Sequence, residues 1–134
     1  MSTRETVYYE EGGAEHTDAT LKAALRAAEE LGVRKVLVAS TSGDTGVRAA
    51  ELFKGSGVQV IVVGHQMGFP AAGVQQFKPE NWQRIEGLGG VVNLGSDVLT
   101  NTIRQRQRLG HSPVSFITQT LIAMKVKVNV EIVA

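Results

Sequence analysis

The chain has 134 residues, of which 43% are hydrophobic and 20% charged, and its formal net charge is +1. This composition is ordinary for one globular domain, here residues 1–134, and argues against global disorder. Near-neutral charge and an aromatic content of 5% disfavour a nucleic-acid partner, because such an interface needs clustered basic and aromatic side chains. The sequence contains no cysteine, which excludes disulfides and thiolate chemistry.

The sequence indicates neither a membrane span nor a metal or catalytic centre. No apolar run approaches the roughly 18–20 residues that cross a bilayer, and residues 1–13 lack the apolar core of a signal peptide. No two histidines lie three or four positions apart, so we expect no metal site. Ser42 lacks the setting of a nucleophile elbow, and we assign no catalytic residue. We expect a cytoplasmic protein without a membrane partner.

The first helix is the clearest element of the sequence. Thr17 or Asp18 suits its N-cap, apolar residues recur along one face as far as Leu31, and Gly32 suits its C-cap. Residues 7–9, which precede this helix, favour a short strand.

Strand and helix patterns then alternate. Residues 36–39 are a short apolar run, typical of a strand that is covered on both faces. Helical spacing resumes over residues 45–53, and the mostly β-branched residues 58–63 predict the next strand. This order of elements predicts a parallel sheet with right-handed crossovers.

The second half continues the pattern after a long loop. Residues 64–78 exceed the usual length of a loop in a compact domain, which is typical of functional loops. Pro79 opens a helix over residues 80–88, and residues 91–94 favour a strand. The remaining predicted elements are helices at 97–109 and 112–123 and a half-exposed strand at 126–132, where apolar and polar residues alternate.

A small polar segment, Ser40-Thr41-Ser42-Gly43-Asp44-Thr45, links the first buried strand to its helix. In an open parallel sheet, ligands bind beyond the carboxyl ends of the strands. Gly43 permits a positive φ and a close backbone approach, and the start of the following helix favours an anion. The hydroxyls of the segment add short hydrogen-bond donors. The segment is therefore suited to hold a phosphate group.

A helix N-cap accounts for the same residues without any ligand. Serine, threonine and aspartate all favour turns and caps. The carboxylate of Asp44 would also repel a phosphate, unless it turns away or accepts hydrogen bonds from ligand hydroxyls. The residues alone leave the cap and the phosphate cradle both open.

Several motifs along the chain resemble those of one known family. They are Tyr8-Tyr9, His16-Thr17, Glu29-Glu30-Leu31-Gly32, residues 38–45, His65-Gln66-Met67-Gly68-Phe69 and Val128-Asn129-Val130-Glu131-Ile132. Together they resemble the small stand-alone archaeal and bacterial proteins called pyruvate kinase alpha/beta domain-like, which are similar to the C-terminal domain of pyruvate kinase.

The resemblance implies an α/β fold with three α/β/α layers around a mostly parallel sheet, and no pyruvate kinase activity. It also implies a phosphorylated small molecule as the partner, with flavin mononucleotide (FMN) as the candidate cofactor. Relatives in this family continue beyond the point where this chain stops, so we expect a domain that is incomplete at its C-terminus. The implied cofactor-binding residues are Ser40, Thr41, Ser42, Gly43, Asp44, Thr45, His65, Gly68 and Phe69.

Two other functions stay open. A flavin-dependent oxidoreductase would use the flavin as a working cofactor, with His65 or Asp44 handling protons. A regulatory or interaction module would act through the exposed last strand, and a homo-oligomer is compatible with either function. His65 and Phe69 also have plain structural alternatives, as a loop histidine bonded to backbone and as an apolar plug.

Overall fold

The computed structural model describes residues 5–68 and 70–95, together with residues 117, 121, 130, 132 and 133. A short 3-10 turn, Ala14–His16, leads directly into the first helix. The longer elements are α1 (Thr17–Leu31), β1 (Lys35–Ala39), α2 (Asp44–Phe53), β2 (Gln59–Val63), α3 (Pro79–Gly87) and β3 (Val91–Asn93).

The three strands form one parallel sheet in the order β1-β2-β3. Helix α2 connects β1 to β2, and α3 connects β2 to β3. The α/β class and the parallel sheet are therefore as the sequence predicts. Each predicted strand and helix between residues 36 and 94 is present, with ends that differ by at most one residue.

One face of the sheet is buried against the helices. Val38, Val62 and Val92 lie in one row across the three strands, and Val36 pairs with Val60 in the row before. Val62 is fully buried, and Val38 and Val60 are nearly so. Helix α2 packs against β1 and β2, while α3 packs against β3 and α2. The described core therefore lies between this face and the helices.

Gly46 allows α2 to approach the centre of the sheet. A Cβ atom at this position would lie 2.6 Å from a methyl carbon of Val62 and 3.1 Å from Ile85 on α3. Any side chain at Gly46 would therefore push α2 away from both neighbours. Glycine in a helix costs up to about 1 kcal/mol relative to alanine, and here the close packing explains its presence.

Helix α1 packs beside α2 and ends as expected. Leu21 and Ala28 are buried in the core, and Gly32 takes the left-handed conformation at the C-cap with φ of 65°. The expected capping by Thr17 or Asp18 is wrong, because the 3-10 turn makes His16 the N-cap residue and places Thr17 inside the helix. A capping side chain needs a residue with non-helical backbone angles.

The predicted strand at residues 7–9 is absent from the described structure. Residues 5–9 have no regular secondary structure. They lie along α1, where Val7 and Tyr9 line an open cavity with helix residues, and the Tyr9 ring stacks on His16 with centroids 3.9 Å apart. A strand needs a neighbouring strand to pair with, and a helix surface offers no backbone partners.

Few of the predicted elements after residue 95 can be compared with the structure. Ile117 and Leu121 are helical, as predicted for residues 112–123, whereas the helix at 97–109 lies outside the described residues. Val130 and Ile132 are also helical, against the predicted strand. An alternating pattern this rich in valine also has apolar residues four positions apart, so periodicity does not separate the two structures.

None of the described helices covers the opposite face of the sheet, which is called the open face. Leu37 and Val91 are 43% and 42% exposed, although β1 reads as a strand covered on both faces. The described helices all belong to one side, so the predicted three-layer arrangement is not seen in residues 5–68 and 70–95. Among these residues, no helix is long and apolar enough to cross a membrane.

The close approach at Gly46 gives a direct test of the packing. We expect Gly46→Ala to destabilise the protein by about 1–3 kcal/mol, because the new methyl group overlaps Val62. Gly87→Ala is the matched control, since it also lies in a helix but its Cβ would meet nothing within 4 Å. We expect that control to be neutral or stabilising by up to about 1 kcal/mol. Urea unfolding of both variants measures this, and equal effects would contradict the packing.

Candidate ligand-binding site

The 40–45 loop lies at the carboxyl edge of the sheet, where the strands end side by side. The Ser40 N–H donates to the carbonyl of Val63 at 3.0 Å, and the Gly64 N–H donates to the carbonyl of Asn93 at 3.0 Å. The chain segments that leave all three strands therefore start next to one another. This is the position where open α/β sheets bind ligands.

Ser40 organises the loop from within. It is 8% exposed, and its hydroxyl oxygen accepts hydrogen bonds from the backbone N–H groups of Gly43 at 3.1 Å and Gly46 at 3.4 Å. Gly46 lies in the first turn of α2, where N–H groups lack intrahelical acceptors. Ser40 therefore acts as a cap of α2 in this structure, which corresponds to the structural alternative for this residue.

Gly43 has the expected positive φ, at 90°. The groups that come close to its backbone are the side chains of Phe77 and Asn81. A Cβ atom here would lie 2.8 Å from the Phe77 ring and 2.8 Å from Cβ of Asn81. The space next to Gly43 is thus filled by the segment that leads into α3. On that side of the loop, protein side chains therefore make the close approach to the backbone of Gly43.

Asp44 lies at the centre of a polar cluster. Its carboxylate accepts hydrogen bonds from the Ser42 hydroxyl at 2.6 Å, from Asn81 Nδ2 at 2.7 Å and from Lys78 Nζ at 2.9 and 3.0 Å. Two further bonds join the same segments, since the carbonyl of Ser42 accepts from the Lys78 N–H and from Asn81 Nδ2. The Asp44 carboxylate therefore points towards neighbouring groups of the protein.

These contacts keep Asp44 ionised. The hydrogen bond from Ser42, followed by those from Lys78 and Asn81, lowers the pKa of the Asp44 carboxyl to about 2. Each of these donors stabilises the charged form. At neutral pH the cluster holds one carboxylate and one ammonium, so its net charge is zero.

Several donors in the loop remain without a partner in the described part of the chain. The hydroxyls of Thr41 and Thr45 and the backbone N–H of Thr45 take part in none of its hydrogen bonds. Thr41 is exposed and Thr45 is half-buried. Thr45 lies in the first turn of α2, at the positive end of the helix dipole.

The other predicted site residues lie beyond the end of β2. His65 is half-buried and lies two residues after Val63, so it leaves the sheet beside Ser40. Gly68 has φ of 84° and its N–H donates to Val74 at 2.8 Å, which places it in a local turn of the long loop. Phe69 lies outside the described residues.

The sequence reading missed Phe77, Lys78 and Asn81. They lie in and just before the first turn of α3, about 35 residues after the loop that they contact. A signal was present, because a helix that follows a parallel strand starts at the carboxyl edge of the sheet. The helix start at Pro79 therefore indicates that the residues around it lie at the same edge as the 40–45 loop.

No protein-family model matches the chain. The resemblance to the pyruvate kinase alpha/beta domain-like family thus remains an expectation from its motifs. In the part of the chain that the structure describes, no group of three or more histidine, cysteine or acidic residues could hold a metal ion.

The low pKa of Asp44 can be measured directly. We expect its carboxyl to titrate near pH 2 in an NMR experiment that follows the side-chain carbon. Ser42→Ala should raise that pKa more than Asn81→Ala, because the Ser42 bond is the largest cause of the shift. An Asp44 pKa of about 4, the ordinary value, would contradict the cluster.

The same cluster predicts the sign of a stability change with pH. A carboxyl whose folded pKa is lowered stabilises the fold above its unfolded pKa and loses that stabilisation as the pH falls. The contribution of Asp44 is therefore complete above about pH 4 and disappears towards pH 2. In Asp44→Asn, the free energy of unfolding should fall less steeply across this window than in the unmodified protein. Urea unfolding at several pH values checks this, and parallel curves would contradict it.

Proposed function

We propose that the protein binds the phosphate group of a small molecule at the 40–45 loop, with FMN as the candidate ligand. The observation that carries this proposal is the group of unengaged donors of Thr41 and Thr45 at the start of α2. They lie at the carboxyl edge of the sheet, where the fold class binds ligands. Backbone N–H groups and hydroxyls at a helix start are donors that suit a phosphate.

The charge of the cluster supports the same proposal. An unpaired carboxylate at the start of α2 would repel an anion, but Lys78 neutralises Asp44. An ammonium group has three N–H donors, and the two contacts with Asp44 leave one for a ligand oxygen. The side chain of Lys78 is 48% exposed, so solvent and ligands can reach it.

The proposal also includes the predictions for the fold of the whole chain, its location in the cell and the absence of catalysis. We propose the three-layer, pyruvate kinase C-terminal-domain-like fold for the whole chain. We also propose a cytoplasmic location, which a cysteine-free sequence fits. The oxidoreductase alternative is weaker at Asp44, because a carboxyl with a pKa of about 2 is a poor proton acceptor near neutral pH. We propose that the protein binds its ligand without catalysis.

The proposal predicts that phosphate esters stabilise the protein. Thermal unfolding should be followed with increasing FMN, fructose bisphosphate and inorganic phosphate, with riboflavin as the phosphate-free control. A ligand that binds only the folded state stabilises that state by about 2.7 kcal/mol when its free concentration is about 100 times its Kd. We expect FMN to raise the unfolding temperature and riboflavin to leave it unchanged. No shift with any phosphate ester, or an equal shift with riboflavin, would count against the phosphate site.

Variants assign the binding to the loop. Losing a hydrogen bond to a charged ligand costs about 1.5–3 kcal/mol, so Lys78→Met should weaken binding by about ten- to a hundredfold. The double variant Asp44→Asn, Lys78→Met separates the lost cation from the newly unpaired carboxylate, and it should bind better than Lys78→Met alone. Lys54→Met, beyond the opposite end of α2, is the control and should bind normally.

A further inference from the structure

A cavity of about 360 Å³ lies between α1 and β1. Its helix wall consists of Thr17, Thr20, Leu21 and Ala24, which share one face of α1 because they lie at helical spacings. Cavities that bind small molecules measure about 300–1,000 Å³ and combine a mostly apolar lining with a few polar groups. This cavity has both the size and the lining of such a site.

The second wall of the cavity is the outer edge of β1. Four consecutive residues line it, of which Val36 and Val38 project to the helix-covered face of the sheet, and Leu37 and Ala39 to the open face. Since successive side chains of a strand point to opposite faces, only a cavity along the edge can contact all four. Within residues 5–68 and 70–95, β2 is the sole strand that pairs with β1, so the outer edge belongs to no ladder of this part of the chain.

This outer edge presents backbone hydrogen-bonding groups to the cavity. The carbonyl of Arg34 accepts a hydrogen bond from the N–H of Gln59 in β2, and the N–H of Ser40 donates to the last residue of that strand. The backbone groups of alternate residues in a strand point to the same side, so the even-numbered residues from 34 to 40 face β2. The N–H and C=O groups of Leu37 and Ala39 therefore point away from β2 and towards the cavity.

The cavity is continuous with the proposed phosphate site. Thr45, whose hydroxyl and N–H take part in none of the described hydrogen bonds, also lines the cavity. His16 lines it too, and the stack of its ring on Tyr9 adds an aromatic part to the wall. No Asp, Glu, Lys or Arg among the described residues lines the cavity. A second phosphate group there would meet no cationic side chain of this part of the chain, which disfavours a sugar bisphosphate.

We propose that this cavity binds the planar heterocycle of a nucleotide-like phosphate ester, while the 40–45 loop binds its phosphate. The inference rests on the proposed phosphate site and adds the chemical class of the ligand. Nucleobases and the isoalloxazine ring of FMN carry a hydrogen-bond donor next to an acceptor on one edge. Such an edge can pair with the N–H and C=O of Leu37 or Ala39 as a neighbouring strand would, and the ring can contact the apolar side chains of Leu21 and Ala24. A sugar phosphate has no such planar edge.

The affinities of matched ligands test this inference. UMP and AMP differ from ribose 5-phosphate by their bases, so calorimetric titration of the full chain with these three esters and FMN isolates the contribution of the ring. We expect at least one of UMP, AMP and FMN to bind at least about tenfold more tightly than ribose 5-phosphate, because the ring adds hydrogen bonds and apolar contact. Equal affinities for all four esters would overturn the ring site and leave the phosphate site intact. No binding of any ester would refute the proposed function, and the ring site with it.

A variant that fills the cavity locates the ring. Thr20→Phe places an aromatic side chain at an exposed position of α1 that lines the cavity. Ala23→Phe, also exposed on α1 but on the wall of a different cavity, is the matched control. We expect Thr20→Phe to weaken the tightest-bound heterocyclic ester by about tenfold and to leave ribose 5-phosphate unchanged, whereas Ala23→Phe should change neither. Unchanged binding of that ester to Thr20→Phe, or an equal loss for ribose 5-phosphate, would overturn the location of the ring.

The pairing of the ring with β1 has a separate readout in amide NMR spectra. Saturation with the tightest-bound heterocyclic ester should shift the N–H resonance of Leu37 or Ala39, since a new hydrogen bond forms there. Ribose 5-phosphate should leave both resonances in place. The N–H of Val38 faces β2 and serves as the internal reference. Resonances of Leu37 and Ala39 that shift no more than that of Val38 would overturn the pairing.

Discussion

Helix α2 approaches strand β2 so closely at Gly46 that a Cβ atom there would lie 2.6 Å from Val62. Much of the described structure depends on this contact. It brings α2 close to Ile85 of α3, and Ile85 and Val62 are the largest fully buried side chains among the residues that the structure describes. It also positions the start of α2, where Ser40 accepts hydrogen bonds from Gly43 and Gly46. Gly46 thus contributes both to the packing of the core and to the geometry of the candidate site.

The candidate site combines a structural cap with unengaged donors. Ser40, Ser42 and Asp44 are occupied by bonds within the protein, and these bonds tie the 40–45 loop to the start of α3. Thr41 and Thr45 face no described partner. The capping interpretation therefore holds for Ser40, whereas the proposed phosphate would contact other residues of the same loop. A rigid inner half can hold the outer donors in place, which lowers the entropy cost of binding.

The sheet has two faces with different roles. One carries the valine rows that pack against three helices, and the other carries the row of Leu37, Ile61 and Val91. Strands that are apolar at nearly every position are suited to a sheet covered on both sides. The one-sided cover in residues 5–68 and 70–95 follows from the strand order, because no reversal of direction occurs within this part. The candidate site lies at the carboxyl edge of the sheet, where the two faces meet.

The sequence by itself determined the order of elements from α1 to β3, the parallel sheet and the position of the 40–45 loop. Apolar runs at β1 and β2, helical spacing and the Pro79 and Gly32 signals are local, and local patterns specify local structure. Only the tertiary structure decided which groups meet at the loop. Phe77 fills the space beside Gly43, and Lys78 neutralises Asp44 from 34 positions away. Such pairings arise because parallel strands bring distant loops to one edge. The helix start at Pro79 indicates that edge, but residue spacing along the chain does not specify which side chains meet there.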